Sequence, residues 1–186
     1  MTAAEGYGYD TFINDPGKDF EMEQKILVTY ASTYGSTQEI AEVIATTLRE
    51  NGIAVDLLPM RSVQSLAGYT RLVMGAPLYM FHWHKDALRF MKRHQAALKT
   101  IPAAVFALGP FNDKQDEWDE VRSEIRKELA KFPWFAPLAV EVFGGKFDPA
   151  TLRFPWSWLP ALKNLPASDI RDWDAIRAWA LKVCAG

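Results

Sequence analysis

Four hydroxyl side chains crowd one glycine near the start of this chain: Ser32, Thr33, Ser36 and Thr37, with Tyr34 and Gly35 between them. Hydroxyls and free backbone N–H groups at a helix start can ring a phosphate, and the helix dipole favours its negative charge. No Lys or Arg stands in this stretch, so neutral donors must hold the anion. That suits a phosphate monoester better than a nucleoside triphosphate, and the Gly-Lys-Ser/Thr of a triphosphate loop is absent. The plainer use of the same residues is to cap a helix.

A second stretch, Ala76-Pro77-Leu78-Tyr79-Met80-Phe81-His82-Trp83-His84, is rich in aromatics. A flat heteroaromatic ring would stack on Tyr79, Phe81 or Trp83. His82 and His84 are spaced like a metal pair. The remaining soft ligands, His94 and Cys184, are distant in sequence, so the imidazoles read instead as hydrogen-bonding groups or as the start of the next helix. A third stretch, Gly109-Pro110-Phe111-Asn112-Asp113, lets backbone approach a ligand closely, while Asn112 or Asp113 could equally cap the following helix. No nucleophile–base arrangement and no paired carboxylates are legible, which argues against hydrolysis.

These stretches need elements to hold them, and the chain supplies alternating ones. Lys25–Ala31, Ile53–Leu58, Arg71–Gly75, Ala103–Gly109 and Leu138–Phe143 are short apolar runs that predict strands. Between them, Ser36–Asn51, Lys85–Lys99, Asp116–Phe132 and Asp172–Cys184 carry apolar residues at helical spacing. Continuous apolar strands alternating with helices predict an α/β fold, a doubly wound five-stranded parallel sheet with helices on both faces. In such a sheet ligands bind outside the carboxyl ends of the strands, where the strand order reverses. The three candidate stretches follow strands one, three and four.

Composition narrows the function further. The 186 residues are 49% apolar and 24% charged, with net charge −2 and pI near 5.9. That balance argues against nucleic acid as the partner. A single cysteine, Cys184, permits no internal disulfide and reads as a spectator thiol. No apolar run reaches membrane-spanning length and no secretory signal is apparent, which places the chain in the cytoplasm. Residues 1–24 hold six acidic side chains and one lysine, so they read as an acidic leader outside the core, followed by one domain over 25–186. Within that domain, 146–168 is an aromatic insertion containing Phe147, Phe154, Trp156 and Trp158, broken by Pro149, Pro155 and Pro160. It reads either as a lid on the domain's own core or as an apolar patch for a redox partner, a quinone or a membrane surface. Oligomeric state is not legible.

The sequence Tyr30-Ala-Ser-Thr-Tyr-Gly-Ser-Thr37, followed by Gln38-Glu-Ile-Ala41, resembles the phosphate-binding signature of flavodoxins. Arg71-Leu-Val-Met-Gly-Ala-Pro-Leu-Tyr79 with His82-Trp-His84, and Asp169-Ile-Arg-Asp-Trp-Asp-Ala-Ile176, resemble the flavodoxin-like subfamily that includes the quinone-dependent protoporphyrinogen oxidases. The likeness runs over about residues 25–184. It implies strand order 2-1-3-4-5, with flavin mononucleotide (FMN) at the switch between strands one and three. It further implies that Ser32, Thr33, Tyr34, Gly35, Ser36 and Thr37 hold the FMN phosphate. Pro77, Leu78, Tyr79, Met80, Phe81, His82 and Trp83, with Gly109, Pro110, Phe111 and Asn112, would then flank the isoalloxazine ring. The implied activity is electron transfer, either as an oxidoreductase passing electrons to a quinone or as a carrier between proteins.

Overall fold

The computed structural model describes residues 24–79, 82–151, 158 and 166–184. The acidic leader (1–23 of it) and most of the insertion therefore lie outside the described residues.

Five parallel strands form the sheet: β1 (Lys25–Tyr30), β2 (Ala54–Pro59), β3 (Arg71–Tyr79), β5 (Ala103–Leu108) and β6 (Ala139–Phe143). Their order is β2-β1-β3-β5-β6. A two-residue strand, β4 (His82–Trp83), folds back antiparallel on β3, so the five long strands follow the expected 2-1-3-4-5 order. The helices are α1 (Ser36–Glu50), α2 (Lys85–Arg93), α3 (Gln95–Leu98), α4 (Gln115–Ala130) and α5 (Trp173–Cys184).

Strand periodicity divides the core between the two sheet faces. Leu27, Leu72, Met74, Val105 and Ala107 point to one face, where Trp83, Phe90, Met91, Ile125 and Phe132 pack on them. Ile26, Val28, Val73, Phe106 and Leu108 point to the other, against Ile40, Ile44 and Leu48 of α1 and Ile176, Trp179 and Ala180 of α5. All six residues of β5 are buried, as a central strand covered on both faces requires. Each large apolar side chain removed from water in this way stabilises the fold by about 1.5–3 kcal/mol.

Most element ends fall within one or two residues of the sequence reading, and two elements differ by more. The third strand runs four residues past Gly75, because Ala76 and Pro77 still pair with Ala107 and Leu108 of β5. Pro77 costs the ladder one donor, which the strand tolerates near its end. The helix expected over Lys85–Lys99 breaks at His94, whose backbone leaves helical geometry (φ −103°, ψ 18°). Cys184 is buried, and burial pushes its thiol up, which disfavours the thiolate.

From the insertion, β7 (Lys146–Phe147) pairs antiparallel with β8 (Ser168–Asp169), closing the two ends of the excursion together. Trp158, between them in sequence, is 82% exposed.

Candidate functional site

The hydroxyl stretch forms the turn from β1 into α1. Gly35 stands at the helix N-cap with φ 94° and ψ −27°, the left-handed region that glycine enters without a Cβ penalty. Ser32 Oγ accepts from the Gly35 N–H at 3.0 Å, and the Gly35 carbonyl accepts from Glu39 N–H at 3.0 Å. No side chain among the described residues caps α1, so its first-turn N–H groups remain available at the carboxyl edge of the sheet. Thr37, in that first turn, is 1% exposed, and its Oγ1 has no hydrogen-bond partner among the described residues. A buried unpartnered hydroxyl is costly; Trp83 Nε1, His94 Nε2 and Glu128 Oε2 share that state, but Thr37 alone of the four stands in the first turn of α1. Four hydroxyls, free helix N–H groups and a left-handed glycine fit a phosphate monoester.

Just beyond the turn, the structure assembles an ion-pair cluster on the first turn of α1. Glu39, in the first turn of α1, is met by Arg171 at 2.6 Å and by Lys146 at 3.8 Å. The Arg171 side chain is 3% exposed, lies over the Trp173 ring at 4.5 Å, and also binds Asp169 at 2.5 Å. The Arg171 hydrogen bond holds the Asp169 carboxyl below the usual carboxylate range. The only sequence signal for this cluster was the Asp-Ile-Arg-Asp run before α5, and its partner on α1 is 132 positions away.

The second stretch is a tight hairpin rather than an open loop. Leu78 pairs with Trp83 and Tyr79 with His82. Met80, Phe81 and the Tyr79 side chain lie outside the described residues. Trp83 is 2% exposed and packs in the core, so its ring is engaged by core side chains. Pro77 is buried and Leu78 half-buried. His82 is exposed, with Nδ1 3.4 Å from Oε1 of Glu128, a buried carboxylate on α4 that Lys131 also binds at 2.5 Å. His84 is buried and caps α2: its Nδ1 accepts from Asp86 N–H at 3.1 Å. Its Nε2 lies 3.1 Å from Thr33 Oγ1. The first and second stretches are therefore joined side chain to side chain. Burial lowers the His84 pKa, acting against the charged ring.

The third stretch is packed closely on the chain after β6. Gly109 N–H donates to the Phe143 carbonyl and Gly145 N–H to that of Pro110. A Cβ at Gly145 would stand 2.6 Å from the Gly109 oxygen, so only glycine permits this approach. Gly109 and Pro110 are buried. Phe111 is 48% exposed, its ring 5.7 Å from that of Phe147. Asn112 serves the turn into α4: its Oδ1 accepts from Lys114 N–H at 3.1 Å, and its amide donates to Glu117.

Two cavities lie elsewhere. One of about 580 Å³ sits at the amino ends of β3 and β5, lined by residues including Leu66, Tyr69 and His94. One of about 520 Å³ lies between α4, β6 and α5 and reaches Asp113. Neither includes the hydroxyl turn. Among the described residues, no group of three or more His, Cys, Asp or Glu could hold a metal, and no helix is long and apolar enough to cross a membrane.

An open parallel sheet in the order 2-1-3-4-5, flanked by helices, with a hydroxyl-rich turn after its first strand, defines a doubly wound α/β domain. More narrowly, residues 27–155 match the model of the flavodoxin domain, and the chain belongs to that family. It is 28% identical over 134 residues to the protoporphyrinogen IX dehydrogenase [quinone] of Escherichia coli K12, covering 70% of this chain and 71% of that one. The Leishmania major protein of the same name is 26% identical over 168 residues, covering 84% and 73%. Among solved structures, flavodoxin 1 of Bacillus cereus superposes with a TM-score of 0.55 at 16% identity, covering 87% of this chain and 98% of that one. A short-chain flavodoxin associated with a bacterial microcompartment does so with a TM-score of 0.56 at 16% identity, covering 87% and 97%. The family implies flavin binding.

Proposed function

We propose that this chain is an FMN-dependent oxidoreductase that passes electrons from a bound organic substrate to a quinone. The observation that carries the reading is the hydroxyl turn. Thr37 Oγ1 is buried and unpartnered among the described residues, at the start of a helix whose N–H groups no described side chain caps. The relatives named as quinone-linked protoporphyrinogen dehydrogenases support a porphyrinogen as substrate and a quinone as acceptor.

Bound flavin would supply the transfer of one or two electrons. The protein's own work is binding and orientation. Ser32, Thr33, Ser36 and Thr37 would donate to the phosphate, with the α1 dipole adding a favourable field. Tyr34 and Gly35 would shape the turn around it. The hairpin at Pro77, Leu78, Tyr79, Met80, Phe81 and His82 would lie along one side of the ring, with Gly109, Pro110 and Phe111 along the other. Trp83 would act from beneath, by holding the hairpin in place. Phe111 would shield one ring edge from water.

A specific observation favours a second reading, a carrier between proteins. The sequence reading located the acidity in the leader. A second acidic group runs on from the third stretch, and the structure leaves its Asp113, Asp116, Asp119 and Glu120 exposed at and just before the start of α4. Such a face would steer a basic redox partner.

An absorption spectrum with added FMN, then photoreduction and addition of a menaquinone analogue, separates these readings. Bound flavin that quinone reoxidises rapidly is the expected result. Bound flavin indifferent to quinone favours the carrier, and absence of flavin binding overturns both.

A further inference from the structure

The contact between Thr33 and His84 has a polarity that the hydrogen-bond geometry dictates. A backbone N–H can only donate. Because Asp86 N–H donates to His84 Nδ1 at 3.1 Å, that nitrogen carries no proton, and in the neutral ring the proton sits on Nε2. Burial favours the neutral ring, which agrees with this geometry. The Nε2–H therefore donates to Thr33 Oγ1, 3.1 Å away. A hydroxyl that accepts from one side has its own proton left for another acceptor.

We propose that His84 is a positioning residue for the phosphate end of the site. It fixes the Thr33 hydroxyl as a donor facing the anion. The inference rests on the FMN-binding reading above and deepens it. It answers a problem visible in the sequence, since the turn has no cation and its neutral hydroxyls could point either way. A hydroxyl turned with its lone pairs toward a phosphate would repel it. The chain Asp86 N–H to His84 to Thr33 removes that alternative before any ligand arrives, so less ordering remains to be done on binding.

Two substitutions divide the ring's roles. His84→Asn keeps an acceptor for Asp86 N–H at the Nδ1 position but is too short to reach Thr33. His84→Gln places an amide donor near the Nε2 position and gives up the cap. Affinities for FMN and for riboflavin, which lacks the phosphate, are read from quenching of flavin fluorescence. Expected for His84→Asn is a roughly tenfold loss for FMN, no change for riboflavin, and an unchanged melting temperature. His84→Gln should recover most of the FMN affinity while melting lower. Thr33→Val should match His84→Asn, and the double variant should be no worse than either alone, the signature of one shared interaction. Equal losses for FMN and riboflavin, additive losses, or unaltered FMN affinity in His84→Asn would overturn the proposal. Nitrogen-15 NMR of the histidine ring, recorded without flavin, tests the relay independently. The Nε2–H tautomer is expected, and the Nδ1–H tautomer overturns the relay even if FMN binds. The Nε2–H tautomer in a protein that binds no flavin would leave the relay standing and sink the functional reading instead.

Discussion

The turn at Ser32–Thr37 and the hairpin at Pro77–His84 share the carboxyl edge of the sheet, yet they are held there by opposite means. The backbone of the turn is organised by its own atoms. Ser32 binds Gly35, Gly35 binds Glu39, and the left-handed glycine starts the helix. The hairpin is organised from outside. Trp83 anchors it in the core, Pro77 pairs with β5, and His82 and His84 reach Glu128 and Thr33 on other elements. A locally determined feature can be read from a short run of residues, whereas one determined by tertiary contacts cannot.

Three perturbations press on that contrast. The largest effect is expected from Trp83→Ala. Removing a core indole should cost about 3–5 kcal/mol, seen in chemical denaturation. If the hairpin is set by this anchor, any riboflavin affinity should fall along with FMN affinity. Full retention of riboflavin binding in the folded variant would show that the hairpin holds itself.

Gly35→Ala comes next. A Cβ there meets nothing closer than Glu39 Oε1 at 3.9 Å, so the cost is in the backbone dihedral alone, about 1–2 kcal/mol. Asn tolerates the left-handed region better, so Gly35→Asn should recover part of the loss. Equal destabilisation by both would place the cost in packing instead. FMN affinity should follow the same order, with riboflavin affinity unaffected.

The smallest effect is one of pH, and it separates the two regions by titration. Burial lowers the pKa values of His84 and His94 from an ordinary 6.5, acting against their charged forms. Asp86 works against that shift at His84, while Lys85 reinforces it; Arg93 reinforces it at His94. The unfolded chain therefore takes up protons first as pH falls. This stabilisation is complete above about pH 6.5 and declines below it, until the folded-state values are reached. The melting temperature should thus drop between pH 7 and pH 5. His84→Asn should flatten part of that slope, while Thr33→Val should not. A slope unaltered by His84→Asn would assign it to His94 and other groups.

Much of the fold was legible because its signals are short-range. The β1 run, the hydroxyls around Gly35 and the amphipathic α4 each declare themselves within about fifteen residues. The sheet order came through the flavodoxin resemblance alone. The boundaries that moved did so for tertiary reasons. β3 continues past Gly75 because β5 offers Ala107 and Leu108 as partners, and the helix after the hairpin breaks at His94.

By itself, then, the sequence determined the element types, the hydroxyl-rich turn into α1 and the family resemblance, because hydrophobic period and turn chemistry act over a few residues. The tertiary structure decided which side of each aromatic is used. Trp83 went to the core, and Phe111 was left exposed against Phe147. It also decided the pairing of Arg171 with Glu39 and of His84 with Thr33, contacts that span 132 and 51 positions. Such pairs exist only once the strands have brought distant segments to one edge, because nothing in local propensity makes a residue seek a partner that far along the chain.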